Sequence, residues 1–326
     1  MICRKTIDEP VLIKGVNVFN DRGNFALVCP NLNHEGVFYS DLSLIDPRKG
    51  LEIVPASLDA AFQNIRKFGA RVLSLRGEKT TIDMVEHFGA LLYGLGVDDA
   101  TVYLSDGVCP RRDWGVSEHV KILRPHVVEK PGTSRRYVTL KPGLSLDDRT
   151  FEMSYNYGGG VQRNAGLVVE YSGDDRCYID CEFDLPHAAL QPRKSTFAVD
   201  EGSFREIASA RGIIGPCNWI ERAGIWALLN TPLLDPFISH GITDKNALIL
   251  GSEVDTKYVN KSFPNGVYNS AEAIEHKAQD IVGTLALSGV RFKGITFRYF
   301  GGDHGAEVGM FAETFKRSGG IYRPCD

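Results

Sequence analysis

The residues best placed to do chemistry lie in one short stretch, Ala273-Ile274-Glu275-His276-Lys277-Ala278-Gln279-Asp280. On a helix, His276 and Asp280 stand at i and i+4, so their side chains stack on one face, one turn apart. An imidazole nitrogen and a carboxylate oxygen so arranged can share one divalent cation, and both donors suit zinc. The same spacing is also that of a solvent-exposed ion pair. A second stretch, Val85-Glu86-His87, sets another carboxylate and imidazole side by side, and a third, Gly302-Asp303-His304-Gly305, puts a histidine in a glycine-rich loop. If His87 joins His276 and Asp280, three protein ligands leave one zinc position open, the arrangement of a catalytic rather than a structural site.

The elements around these residues follow from periodicity and turn signals. Val11 to Val18, Asn24 to Cys29 and Gly36 to Tyr39 read as strands; Ser57 to Phe68 carries a helical stripe of Ala60, Ala61, Ile65 and Phe68; Arg71 to Leu75 reads as a strand. Asp83 is positioned to cap a helix that ends near Gly96, which makes Glu86 the reciprocal capping carboxylate, and Ala100 to Leu104 continues as a strand. Arg124 to Arg136, with Pro125, Pro131 and Gly132, reads as a linker. Strands resume at Tyr137 to Leu140, Phe151 to Tyr155, Gly166 to Tyr171, Tyr178 to Phe183, Ser195 to Val199 and Asn246 to Leu250. Gly158-Gly159-Gly160 reads as a flexible turn, since no helix follows to make a phosphate loop. Ser203 to Arg211 has a capping-box start, and Trp219 to Leu229 is helical in pattern. A helix from about Asn269 carries His276 and Asp280 with an apolar stripe of Ile274, Ala278, Ile281 and Leu285. Val290 to Phe300 reads as a strand pair or one long strand, and a last helix runs from about Ala306 to Lys316.

Two of these helices repeat one another. Val85-Glu86-His87 and Ile274-Glu275-His276 each set Glu-His near a helix start; the helices end at Gly96-Val97 and Gly289-Val290, and β-rich sequence follows both. The shared order predicts an α+β protein of two related units, residues 1–130 and 131–326, with the helices packed between the sheets so that His87 approaches His276 and Asp280.

Composition narrows the function classes. With 43% hydrophobic and 24% charged residues in 326, the chain has the material for a buried core. A formal net charge of −4 gives no sign of nucleic-acid or membrane-surface electrostatics. No apolar stretch is long enough to span a bilayer, and Met1 to Glu9 lacks the apolar core of a signal peptide, so a cytoplasmic protein without stable membrane insertion is expected. Seven scattered cysteines do not make a disulfide framework. Cys177 and Cys181 alternate with Ile179 and Phe183 along one strand face, which makes them core residues rather than a metal pair. His34, His119, His126, His187 and His240 have no partners at ligand spacing, and nothing in the sequence marks an oligomeric state.

Thr81-Ile82-Asp83-Met84-Val85-Glu86-His87, His276-Lys277-Ala278-Gln279-Asp280 and Gly302-Asp303-His304-Gly305 together resemble the UDP-3-O-acyl-N-acetylglucosamine deacetylase family, the zinc amidases of lipid A biosynthesis. Weaker agreement covers Ser209-Ala210-Arg211 and Asn246-Ala247-Leu248-Ile249, and the order of elements matches over nearly the whole chain. The resemblance implies a duplicated two-domain fold and a small-molecule substrate, an N-acyl amino sugar that is nucleotide-linked in the family. It implies zinc on His87, His276 and Asp280, though sequence does not separate zinc from iron. It makes Glu86 the general base, His304 a charged stabiliser and proton donor, and Lys277 a residue lining the site. The sequence does not choose between Glu86 and His304 as the donor to the leaving amine.

Departures from the family pattern lie on the substrate side. Gly212-Ile213-Ile214-Gly215 stands where the family has Arg-Thr-Phe-x-Phe after the helix ending at Arg211, so the threonine that assists the oxyanion is missing. Thr284 replaces a second aspartate one turn past Asp280; Val16-Asn17-Val18-Phe19-Asn20 replaces Gly-Leu-His-Ser-Gly; and Gly266-Val267-Tyr268-Asn269 replaces Gly-Leu-Arg-Tyr. Pro216 to Lys245, which corresponds to the family's acyl-chain passage, is longer here and holds Pro232 and Pro236. Three functions follow: an amidase on an N-acyl amino sugar, the same chemistry on another amide such as a modified nucleoside or secondary metabolite, or a metal-binding protein without turnover in which His304 is the fourth ligand.

Overall fold

The structure is a computed structural model that describes residues 2–20, 22–32, 34–45, 50–65, 71–112, 115–156, 162–182, 194–214, 247–249, 271–317 and 321–325. In chain order the first half runs β1 (Lys5–Ile7), β2 (Val11–Val16), β3 (Gly23–Pro30), β4 (Val37–Asp41), β5 (Val54–Pro55), β6 (Ala61–Ile65), β7 (Arg71–Arg76), β8 (Thr81–Asp83), α1 (Val85–Gly94), β9 (Ala100–Leu104), α2 (Ser117–Leu123) and β10 (Val127–Glu129). The second runs β11 (Tyr137–Leu140), β12 (Thr150–Asn156), β13 (Gln162–Tyr171), β14 (Cys177–Glu182), β15 (Lys194–Ala198), β16 (Gly212–Ile214), β17 (Ala247–Ile249), α3 (Glu272–Ala286), β18 (Arg291–Phe292), β19 (Ile295–Phe300), α4 (His304–Lys316) and β20 (Tyr322–Cys325).

The α+β repeat expected from the two Glu-His helices appears in the sheets. One five-stranded sheet has the order β2-β3-β9-β4-β5 and the other β12-β13-β19-β14-β15. In both, a strand that follows the buried helix, β9 directly and β19 after the short β18, enters the middle of the sheet. It pairs antiparallel with the second strand and parallel with the third (β9 with β3 and β4; β19 with β13 and β14). A parallel neighbour requires a crossover rather than a hairpin, and the crossovers carry α1 and α3. Period-two burial marks the inner face of each sheet, as in Ala165, Leu167 and Val169 of β13. All ten residues of α1 are buried, and so is α3 from Glu272 to Leu285 apart from Glu275. A helix buried on every side lies between layers, and a single continuous apolar core runs through both halves. No helix among the described residues is long and apolar enough to cross a membrane.

Several elements differ from their sequence reading. Residues 57–65 form a turn and then β6, which pairs antiparallel with β7; the apolar spacing of Ala60, Ala61 and Ile65 imitated a helix that sheet pairing overrode. Asp83 does not cap α1. Its carboxylate accepts from Ser74 Oγ at 2.6 Å and Asn64 Nδ2 at 3.1 Å, and Met84 forms the junction with no side-chain cap. Ser203 to Arg211 makes only a short 3₁₀ turn, Phe204–Glu206. The carbonyls of Ile207 and Ala208 are instead used by the Gln279 amide, and that of Ala208 also by the Val116 N–H. The expected linker contains β10, paired with β1, and the helix α2 before it was not expected. Gly294, at φ 67°, separates β18 from β19. The Gly158–Gly160 turn, the Trp219 to Leu229 helix and the segment Pro216 to Lys245 lie outside the described residues.

Candidate metal centre and active site

The chain enters α1 through a forced bend. Met84 has φ 61° and ψ 37°, the one non-glycine residue at positive φ among the described residues. A side chain in that region is disfavoured, and the surroundings must hold it there. The bend carries the chain out of β8 and sets Glu86 and His87 in the first turn of α1.

Close contact between the two buried helices brings the halves of the site together. A Cβ added to Gly283 of α3 would lie 2.0 Å from the Glu86 carbonyl oxygen and 2.8 Å from its Cα, and one added to Gly89 would lie 3.0 Å from the Gly283 oxygen. Glycine at 283 is therefore what lets α3 reach the backbone of α1. At that crossing the His87 and His276 rings lie 5.2 Å apart, centroid to centroid. One ligand atom from each of His87, His276 and Asp280 falls within 4.8 Å of the others.

These three residues fit a cation. All three are buried, and burial followed by the charge of Arg111 pushes both imidazoles toward the neutral form, His276 down to about 3. Neutral imidazoles present the lone pairs that metal ligation uses. Burial also pushes the Asp280 carboxyl up, so its ionised form needs a nearby positive charge. Asp280 Oδ1 and His276 Nδ1 are buried with no hydrogen-bond partner among the described residues. Gln279 fixes the orientation of His87. Its Nε2 donates to the Ile207 and Ala208 carbonyls, leaving Oε1 to accept from His87 Nδ1 at 3.0 Å. The proton therefore sits on Nδ1, and Nε2 carries the lone pair.

Glu86 is buried beside the candidate ligand His87, 3.8 Å from its Nε2, and accepts from the Leu73 N–H at 3.2 Å. Burial raises its pKa, opposed by the charges of His304 and Arg111. His304 opens α4, where Asp303 caps the helix and Glu307 Oε2 accepts from His304 Nδ1 at 3.1 Å. Burial alone would discharge this imidazole. The carboxylates of Glu307, Asp280 and Glu86 instead raise it to about 10. The N-terminus of α4 is tied to the first half by Arg71 on Asp303, at 2.5 Å, and by the Gly305 N–H on Gln63, at 2.9 Å. Lys277 points its ammonium at Glu307, the Gly302 carbonyl (3.0 Å) and the face of Tyr299.

Three residues at this site were not singled out from sequence. Gln279 is three residues past His276, and Glu307 is three past His304; each spacing was a usable signal. Arg111 had none. Its guanidinium fills the space beside Gly212, with Nη1 2.9 Å from where a Cβ would stand, and its charge acts on Glu86, His87, His276 and Asp280. The expected bystanders lie elsewhere. His119 is buried against Phe88 and held neutral by burial, its pKa pushed down to about 3. His126 meets Asp8 and Glu9 on the exposed surface. Cys177 and Cys181 are buried free thiols, and burial raises both pKa values. A cavity of about 300 Å³ lies at the C-terminal ends of α1 and α3 and contains none of the ligands.

The chain is similar to known sequences over most of its length. Proteins named UDP-3-O-acyl-N-acetylglucosamine deacetylase from Brucella ovis and Brucella canis are each 24% identical to the chain over 301 residues, covering 92% of it and 91% of their own length. That of Brucella melitensis biotype 2 is similar to the same extent. The model of the family described as UDP-3-O-acyl N-acetylglycosamine deacetylase (LpxC) matches residues 4–316, which takes in both buried helices and the His304 loop. The chain belongs to the UDP-3-O-acyl N-acetylglycosamine deacetylase family.

Proposed function

We propose that the chain is a zinc-dependent hydrolase that removes an N-acyl group from an amino sugar, with a substrate of the UDP-3-O-acyl-N-acetylglucosamine kind. The observation that carries this reading is the convergence of His87, His276 and Asp280 on one point, with the buried carboxylate of Glu86 next to them. His87, His276 and Asp280 would hold zinc, which would supply a Lewis acid to acidify water and polarise the acyl carbonyl. Glu86 takes the proton from the attacking water, a task suited to a carboxylate whose pKa burial has raised. His304, kept cationic by its carboxylate neighbours, faces the negative charge that develops on the acyl oxygen and protonates the departing amine. Arg111 adds a second fixed cation beside Gly212, where the resemblance leads one to expect a threonine hydroxyl. Domains divided as 1–130 and 131–326 are part of the same reading, each holding one copy of the repeated sheet.

A second reading keeps the chemistry and changes the substrate. Gly212 and Thr284 stand where the resemblance has residues that serve the family reaction, and an arginine occupies the space of the first. Metal analysis of the purified protein, followed by assay of amine release from acylated and non-acylated UDP-N-acetylglucosamine, tests both. Bound zinc with release from the acylated sugar nucleotide is expected. Bound metal without release from either compound moves the activity to another amide, and a protein that takes up no divalent metal overturns the hydrolytic reading.

A further inference from the structure

We propose that Glu307 is a positioning residue for this hydrolysis, its carboxylate holding the His304 ring and the Lys277 ammonium in register from α4. The inference rests on the role given to His304 above. Glu307 is fully buried, one helical turn past His304 and therefore on the same face of α4. Oε2 accepts from His304 Nδ1 at 3.1 Å and Oε1 accepts from Lys277 Nζ, so each oxygen holds one cationic donor. Holding Nδ1 fixes the rotation of the ring and leaves Nε2–H as its free donor. The charged groups acting on the His304 ring are Glu307 on its own helix, Asp280 on α3 and Glu86 on α1, and Glu307 has the largest effect of the three.

Position 284 gives the inference a second support. The Thr284 hydroxyl is fully buried on α3 and lies 3.4 Å from the same Glu307 Oε2, so a carboxylate at either position would reach one place from two different helices. Thr284 also lies within 3.3 Å of the Asp280 carbonyl, its own alternative partner. Glutamine at 307 has nearly the shape of glutamate but only one acceptor oxygen, so one of the two cations must lose its partner.

The test uses Glu307→Gln, the double variant Glu307→Gln with Thr284→Asp, and His304→Ala, each loaded with zinc and checked for metal content. Glu307→Gln is expected to keep its metal and its KM while kcat falls about 100-fold, the scale of a lost proton donor. Adding Thr284→Asp is expected to recover about tenfold of that loss. In parallel, the His304 ring is titrated by NMR in wild type and in Glu307→Gln, with His304→Ala identifying the signal. Its pKa is expected to fall in the glutamine variant, a readout that needs no turnover. Unchanged kcat together with an unchanged His304 titration in a folded, metal-loaded Glu307→Gln overturns the inference. So does a double variant no faster than the single one whose His304 pKa has not recovered. A wild-type protein that binds zinc but releases no amine sinks the hydrolytic reading instead, and the titration still shows whether Glu307 holds the ring.

Discussion

His87, Glu86 and Gln279 differ in what their removal should do, and that difference separates their roles. His87→Ala deletes a proposed ligand and should lower the metal content of the purified protein, measured by elemental analysis. Glu86→Ala should keep the metal and abolish turnover, because the carboxylate lies beside the ligands. Full activity in that variant would remove Glu86 as the base. Gln279→Leu leaves all three ligands in place but takes the acceptor from His87 Nδ1. The ring then loses its fixed tautomer, and zinc affinity should fall about 10- to 100-fold in a competitive chelator titration. Unaltered affinity would show that packing alone orients the imidazole. Chain spacing made His276 and Asp280 legible as a pair because a helix brings i and i+4 together. No such local rule points to Arg111, which reaches the same site from a loop bridged to Val16.

The element that decides the site is the crossing of α1 and α3. Gly283→Ala puts a methyl group 2.0 Å from the Glu86 carbonyl, and because the clash is with backbone, the helices must part. The expected outcome is a stability loss of about 1–3 kcal/mol, the range for overpacking, with a fall in kcat because Glu86 and His87 move with α1. Urea unfolding and steady-state kinetics on the same preparation check both; a variant as stable and active as wild type would mean the crossing is looser than described. Of the two helices, α3 was readable from its apolar stripe and α1 from its end near Gly96. Their capping was not, because Asp83, a good cap by type, is engaged by Ser74 and Asn64. The stretch at 57–65 misled for a related reason: β6 is specified by its pairing with β7, and its own spacing does not reveal that partner.

Across the whole molecule, the two halves are fastened at both ends of the buried helices. At the end that holds the candidate site, Arg71 and Gln63 hold the start of α4. At the far end, Asp98 accepts from Arg291 Nε at 3.0 Å and from Arg135 Nε at 2.9 Å, while Arg291 also reaches the Tyr93 and Val97 carbonyls and lies over the Tyr93 ring. All three charged side chains are largely buried. Asp98→Ala removes the carboxylate that the buried guanidiniums of Arg291 and Arg135 share, leaving Arg135 its contact with Glu201 at 3.1 Å, and should destabilise the fold by about 3–5 kcal/mol. Since Asp98 lines the cavity at the far ends of the buried helices, which contains none of the proposed ligands, zinc affinity of the folded fraction should not change. Thermal unfolding with parallel metal titration measures both, and a loss of zinc binding without a loss of stability would contradict this division.

The sequence by itself determined the duplicated α+β plan and the family pattern and offered the candidate donors, because those depend on residue types and short spacings that helices and strands convert directly into shared faces. Only the tertiary structure decided that His87 meets His276 and Asp280, that Arg111 fills the space beside Gly212, and that Glu307 serves His304 and Lys277. Each of those contacts joins groups from separate elements whose distance depends on how the buried helices cross and how the carboxylates are sealed from water. Packing sets both quantities, and no periodicity within a single element encodes them.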